Sequence, residues 1–148
     1  MEPKDISKLV TVIVFDIETT GFSRIYDRVI EIAMQDLSGG ENSTFETLVN
    51  PLKRDLNTSI HNISDDMVTS PTVPRIKELI PILVQYIQSR HKTGGQVILV
   101  AHNAKIFDVP FLKEEFRRHS RELPSNWCFL DTVPLARKLL NSATTVAK

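Results

Sequence analysis

Two acids stand two residues apart in Phe15-Asp16-Ile17-Glu18-Thr19-Thr20-Gly21. In an extended segment successive side chains alternate sides, so Asp16 and Glu18 share one face. Carboxylates crowded at the end of an apolar strand repel each other and lose hydration, which pushes at least one toward its protonated form. A divalent cation removes that cost, and hard oxygen donors favour Mg²⁺ or Mn²⁺ over zinc. A solvated pair of strand-end acids would look the same, so the pair alone does not establish a site. Thr19, Thr20 and Gly21 follow at once, offering two hydroxyls and a backbone that a substrate can approach closely at the glycine.

A further acid closes Ala101-His102-Asn103-Ala104-Lys105-Ile106-Phe107-Asp108, which starts where an apolar run ends and enters a helix. If that run forms a strand beside the first, Asp108 faces Asp16. Capping of the helix start or pairing with its dipole is the alternative reading. Asp131 precedes another helix and reads as its cap, or as an acid that orients the other carboxylates.

The elements that must position these residues follow from periodicity. Residues 9–15 form a continuous β-branched run, as in a strand buried on both faces. Residues 28–37 and 44–49 read as strands joined by a hairpin turn at Gly39-Gly40. After a polar stretch holding His61, apolar residues at helical spacing predict a helix over 73–90, kinked or split at Pro81. A strand over 96–101, a helix over 104–120, a short strand at 129–130 and a helix from 132 complete the order β-β-β-α-β-α-β-α. Strands joined by short turns form an antiparallel meander, and those separated by helices form parallel crossovers. The expected fold is α/β, a mixed five-stranded sheet flanked by helices. Ligand sites in such sheets lie beyond the carboxyl ends of the central strands, where the acids fall.

The 148 residues fit one domain, 1–148, with 1–9 and 142–148 expected to be flexible. Zero formal net charge lends no support to a nucleic-acid partner, so any basic surface must be local. Arg24, Arg28 and Lys105 could contact phosphates. Lys113, Arg117, Arg118 and Arg121 alternate with Glu114, Glu115 and Glu122 and read as a solvated helix face. The single cysteine, Cys128, excludes an intramolecular disulfide and reads as a small core residue. No apolar run approaches the roughly 20 residues of a membrane span, and no targeting peptide is visible.

Together, Phe-Asp-Ile-Glu-Thr-Thr-Gly, Ile60-His61-Asn62-Ile63, His-Asn-Ala-Lys-Ile-Phe-Asp-Val-Pro-Phe-Leu and Leu-Asp-Thr resemble the DEDD exonucleases with their ribonuclease H-like fold. Order and spacing are similar to the DEDDh branch, which includes bacterial proofreading subunits and plant organellar DNA-degrading enzymes. The resemblance covers residues 12–140. It implies two Mg²⁺ or Mn²⁺ ions on Asp16, Glu18 and Asp108, and hydrolysis of nucleic acid from a free 3′ end, with DNA favoured over RNA. It further implies that Thr19, Thr20 and Gly21 hold the terminal nucleotide, while His61, His102 and Asn103 line the pocket or brace it. Asp131 corresponds to a family acid outside the metal-ligand set. Asn62 stands where the family often has glycine. A plastid or mitochondrial location is in keeping with the resemblance.

The family also places a general-base histidine and a fourth aspartate on a later helix. This sequence has no histidine after His119 and no acid after Asp131. His119 lies eleven residues past Asp108 on the same expected helix, about 16 Å away and too far for proton transfer. The sequence-based expectation is therefore a truncated domain of weak or absent activity, with one sheet face left uncovered as an exposed apolar patch. The alternative is a nucleic-acid-binding or interaction module that retains the fold without the chemistry.

Overall fold

A computed structural model describes residues 5–54 and 58–146. After a 3₁₀ turn at Ile6–Leu9 come β1 (Val10–Thr19), β2 (Val29–Asp36), β3 (Thr44–Leu48), α1 (Thr58–His61), α2 (Asp65–Thr69) and α3 (Ile76–Arg90). They are followed by β4 (Gln96–Ala101), α4 (Asp108–Arg118), β5 (Trp127–Asp131) and α5 (Thr132–Val146). The sheet order is β3-β2-β1-β4-β5, with β1 antiparallel to β2 and parallel to β4. β1 is thus the strand at which pairing changes sense.

β1 buries one face only. Ile13, Phe15 and Ile17 point into the core with the apolar stripes of α3 and α4, whereas Val14 on the other face is 38% exposed. Burial on both faces, expected from the continuous apolar run, is therefore corrected: composition alone does not say which face a helix covers. Val14 pairs with Val100, and Val100 with Leu130; Val14 and Leu130 are exposed, but Val100 between them is buried, so the apolar surface on this side of the sheet is interrupted. Cys128 lies on the same side and is exposed, not a core residue, because period two sends its neighbours Trp127 and Phe129 inward.

α3 runs unbroken through Pro81. The missing N–H frees only the carbonyl of Lys77, and both residues face solvent, where water can replace the bond. Two short helices escaped the periodicity reading. α2 begins at Ser64, which accepts a hydrogen bond from the Met67 amide, followed by acids at 65 and 66, a start signal present in the sequence. Its Val68 packs with Ile30 and Ile63 in a small separate cluster. α4 begins at Asp108 rather than at residue 104. Asn103 takes a left-handed φ of 58°, and residues 104–107 form a turn instead of a helical one. Of the ends expected to be flexible, Ile6–Leu9 forms the 3₁₀ turn and α5 continues through Val146, while 1–4 and 147–148 lie outside the described residues.

Candidate active site

Asp16 and Glu18 project from the open face of β1, as their spacing requires. The register sets Asp16 opposite Ala33 and Glu18 opposite Glu31. One residue later the ladder slips, with Thr19 opposite Val29, a bulge of the kind that re-aims side chains beside active sites. β3 adds Glu46 opposite Ala33, so a third and fourth acid join this face. Burial raises the Glu18 carboxyl above its usual range, with Asp16 adding to the rise and His61 opposing it. Glu31 is raised too, by burial and then by Glu46, Glu18 and Asp16. Glu31 was missed in the sequence because only the β1–β2 register brings it to Glu18.

Pairing with β4 ends at Val14 and Val100, leaving the following edge of β1 open on that side. Asp108, the first residue of α4, reaches this edge, where the Ile17 amide, between Asp16 and Glu18, opposes the rise of its carboxyl. It is 2% exposed, and its Oδ1 has no hydrogen-bond partner. Burial, reinforced by Asp16, pushes its carboxyl up to about 6. A buried carboxylate oxygen without a donor, beside two further acids, fits a divalent cation. Among the described residues, however, no three acidic, histidine or cysteine side chains stand together closely enough to hold an ion as placed.

Glu18, Thr19, Thr20, Gly21 and His61 line a cleft of ≈ 100 Å³ with Phe22, Ile60 and Phe107. The cleft gathers most of the residues expected to hold a nucleotide, but their polar groups are partly committed. The Thr19 hydroxyl donates to the Gly21 carbonyl at 2.6 Å. Thr20 Oγ1 donates to Asp27 at 2.8 Å and accepts from the Arg28 amide at 3.0 Å. Gly21 owes its lack of a side chain to Asp27, whose Oδ2 would lie 2.6 Å from a Cβ there. His61 accepts the Ile63 amide on Nδ1 at 3.1 Å, which puts the neutral ring's proton on Nε2. That Nε2 is buried without a partner. Asn62 adopts a φ of 58°, the left-handed conformation that glycine takes freely.

His102 and Asn103 do not line this cleft. His102 Nδ1 meets Thr132 Oγ1 at 2.9 Å, and the Asn103 carbonyl accepts the amides of Ile106 and Phe107, so both build the turn that delivers Asp108. Asp131 caps α5 by accepting the Val133 amide at 2.9 Å and accepts the Lys105 amide at 3.0 Å. These backbone donors hold its carboxyl below the usual range.

Two charge readings are corrected. Glu115 is fully buried, not part of a solvated face, and is gripped by Arg28 and Arg118. Arg28 is therefore committed to the fold rather than to phosphate. Arg118 also donates to the carbonyls of Arg24, Ile25 and Asp27, tying the loop after β1 to α4.

The RNase_T family model, described as Exonuclease, matches residues 13–145. The chain belongs to this exonuclease family. Among RNase_T relatives, the Arabidopsis thaliana protein named Exonuclease DPD1, chloroplastic/mitochondrial, is 55% identical over 148 residues, covering 99% of this chain and 47% of that protein. A PolC-type DNA polymerase III of Oceanobacillus iheyensis is 41% identical over 133 residues, 88% of this chain and 8% of that protein. The chain thus spans less than half the length of these relatives. The crystal structure of Escherichia coli Exonuclease I in complex with a 5cy-dA13 oligonucleotide superposes with a TM-score of 0.69 at 13% identity, over 87% of this chain and 29% of that one. Exonuclease I of Methylocaldum szegediense gives the same score at 18% identity, over 86% and 29%. These likenesses establish the ribonuclease H-like form of the mixed five-stranded sheet in this RNase_T member.

Proposed function

We propose that this chain carries the cleft of a 3′→5′ exonuclease, hydrolysing phosphodiester bonds at the free 3′ end of nucleic acid, DNA in preference to RNA. One observation carries the reading: the Asp108 carboxyl, beside Asp16, is buried with an oxygen that lacks a donor. Membership of the exonuclease family supports it.

Asp16, Glu18 and Asp108 would hold two Mg²⁺ or Mn²⁺ ions. When bound, such ions neutralise a scissile phosphate and lower the pKa of an attacking water. The side chains do the rest. Asp108, buried and with its carboxyl raised to about 6, would give up its proton to serve as one of these ligands. The Thr19–Gly21 loop and the ring of Phe107 bound the space for a terminal nucleoside. His61 offers an Nε2 proton to an oxygen entering the cleft. The name of the Arabidopsis relative supports a plastid or mitochondrial setting. Among the described residues no helix is long and apolar enough to cross a membrane.

A binding module without hydrolysis is the second reading. It is favoured by the lack, among the described residues, of three ligands already grouped to hold an ion. Calorimetric titration with Mn²⁺, followed by incubation with a 3′-labelled single strand, separates the two. Metal uptake lost in Asp16→Ala and Asp108→Asn, with mononucleotides released from the 3′ end, supports the enzyme. Strand binding with neither metal uptake nor release supports the module. Full Mg²⁺-dependent turnover abolished by Asp16→Ala would refute the expected slowness.

A further inference from the structure

Every residue of α5 from 134 to 142 is exposed, Leu135 at 47% and Leu139 at 72%. A helix of 15 residues is marginal in water by itself and draws its stability from an apolar face that something else covers. Leu135, Lys138 and Leu139 stand at i, i+3 and i+4 and so share one face, a cation beside two leucines. The helix carries Arg137 and Lys138 and no acid.

The open face of the sheet is the complement of that stripe. Val14, Asp16, Ala33, Gln35 and Thr44 border an open depression of ≈ 190 Å³. Strand pairing puts Asp16 on one side of Ala33 and Glu46 on the other, and sets Glu18 opposite Glu31 one step along the same face. β1, β2 and β3 therefore present four acids and no base on this side. None of the four makes an ion pair among the described residues. Like charges on paired strands are destabilising, so this face favours a cation. Ions in the cleft would engage Asp16 and Glu18 and leave Glu31 and Glu46 without a counter-charge. Two copies of α5 packed on each other would cover the leucines but bring Lys138 toward Lys138, a repulsive contact. Laid on the sheet face of another copy, the same stripe meets apolar surface and acids together.

We propose that the open sheet face receives α5 of a second copy of this chain, Leu135 and Leu139 over the depression at Val14 and Ala33 and Lys138 between Glu46 and Asp16. The exchange is mutual, as a twofold dimer requires. The docked helix covers Asp16, so the dimer closes the acidic cleft to metal. That closure rests on the reading of Asp16, Glu18 and Asp108 as metal ligands, whereas the docking itself does not.

Sedimentation velocity of the full chain in EDTA tests the docking. The wild type should show a monomer–dimer equilibrium that follows concentration. Leu135→Glu/Leu139→Glu should be monomeric throughout. Glu46→Lys and Lys138→Glu should each weaken the dimer about tenfold or more, and the two combined in one chain should restore it to within about threefold of the wild type. A wild type that stays monomeric at about 100 µM would overturn the proposal. So would a Glu46→Lys variant of intact circular dichroism that dimerises like the wild type, the outcome expected of α5 packed on α5. Saturating Mn²⁺, its uptake followed by calorimetry, should shift the wild type toward monomer. A dimer unmoved by Mn²⁺ that the chain does take up would overturn the closure of the cleft. If the charge swap restores the dimer but Mn²⁺ is not taken up, the docking stands and the metal-binding reading of the cleft fails.

Discussion

Arg28 grips Glu115 through two parallel hydrogen bonds, Nε to Oε1 at 2.8 Å and Nη2 to Oε2 at 3.0 Å, across 87 positions of sequence. The same carboxylate accepts the Val29 amide at 3.2 Å and is approached by Arg118 at 3.2 Å. This buried junction fixes α4, and hence Asp108, against the start of β2. Replacing Glu115 by Ala leaves a partly buried guanidinium and a buried amide without partners. A loss of about 3–5 kcal/mol in urea unfolding is expected for Glu115→Ala. A loss below about 1 kcal/mol, typical of exposed pairs, would contradict the junction.

Asp108 gives the metal-free protein a defined pH dependence. Its carboxyl is raised from 3.8 to about 6 in the fold, so the folded state binds more protons than the unfolded one between those values. Stability from this group is greatest below about pH 4, falls as pH rises to about 6 and is then flat. The difference is about 3 kcal/mol for two pH units, on the order-of-magnitude scale. In EDTA, Asp108→Asn should be the more stable protein at pH 7.5 and about equal to the wild type near pH 4, measured by urea midpoints at both values. A variant destabilised equally at both would remove the assigned burial cost.

Gly21 is set by a neighbour, not by left-handed backbone. A Cβ would lie 2.6 Å from Asp27 Oδ2, and that carboxylate is held by Thr20, the Ser23 amide and Lys53. Gly21→Ala should cost about 1–3 kcal/mol through overpacking. In Asp27→Ala the same change should cost much less, a coupling that a double-mutant cycle reads directly. Additive effects would show that the contact with Asp27 is not the constraint.

Cys128 sits on the outer face of β5 and is exposed. A small thiol reagent should label it under native conditions at a rate unchanged by low urea. Labelling that requires global unfolding would place it back in the core.

The pair of acids on β1 was legible because period two needs only an extended chain to align Asp16 with Glu18. Asp108 was legible as an acid at a helix start, but its burial was not. That depends on β4 pairing stopping at Val14, a tertiary fact. Glu31 stayed hidden for a related reason, since strand register is set by long-range packing. Glu115 misled because alternating charges describe a helix surface only when nothing packs on it. Arg28 and Arg118, 87 and three positions away, turn that stretch into a buried junction. Asn103 and Ser64 carried readable local signals, one for a left-handed turn and one for a helix start.

Arg118 holds the carbonyls of Arg24, Ile25 and Asp27 at 2.7 to 3.1 Å from the far end of the helix that begins with Asp108. Hydrogen bonds from an ionised guanidinium are stronger than neutral ones, and here three converge on one side chain. The loop after β1 is therefore tied to the C-terminal end of α4 at three points. Releasing it would slacken the same rod that presents Asp108. Loop and helix thus move as one piece, and whatever displaces the loop after β1 also displaces the buried carboxyl at the other end of α4.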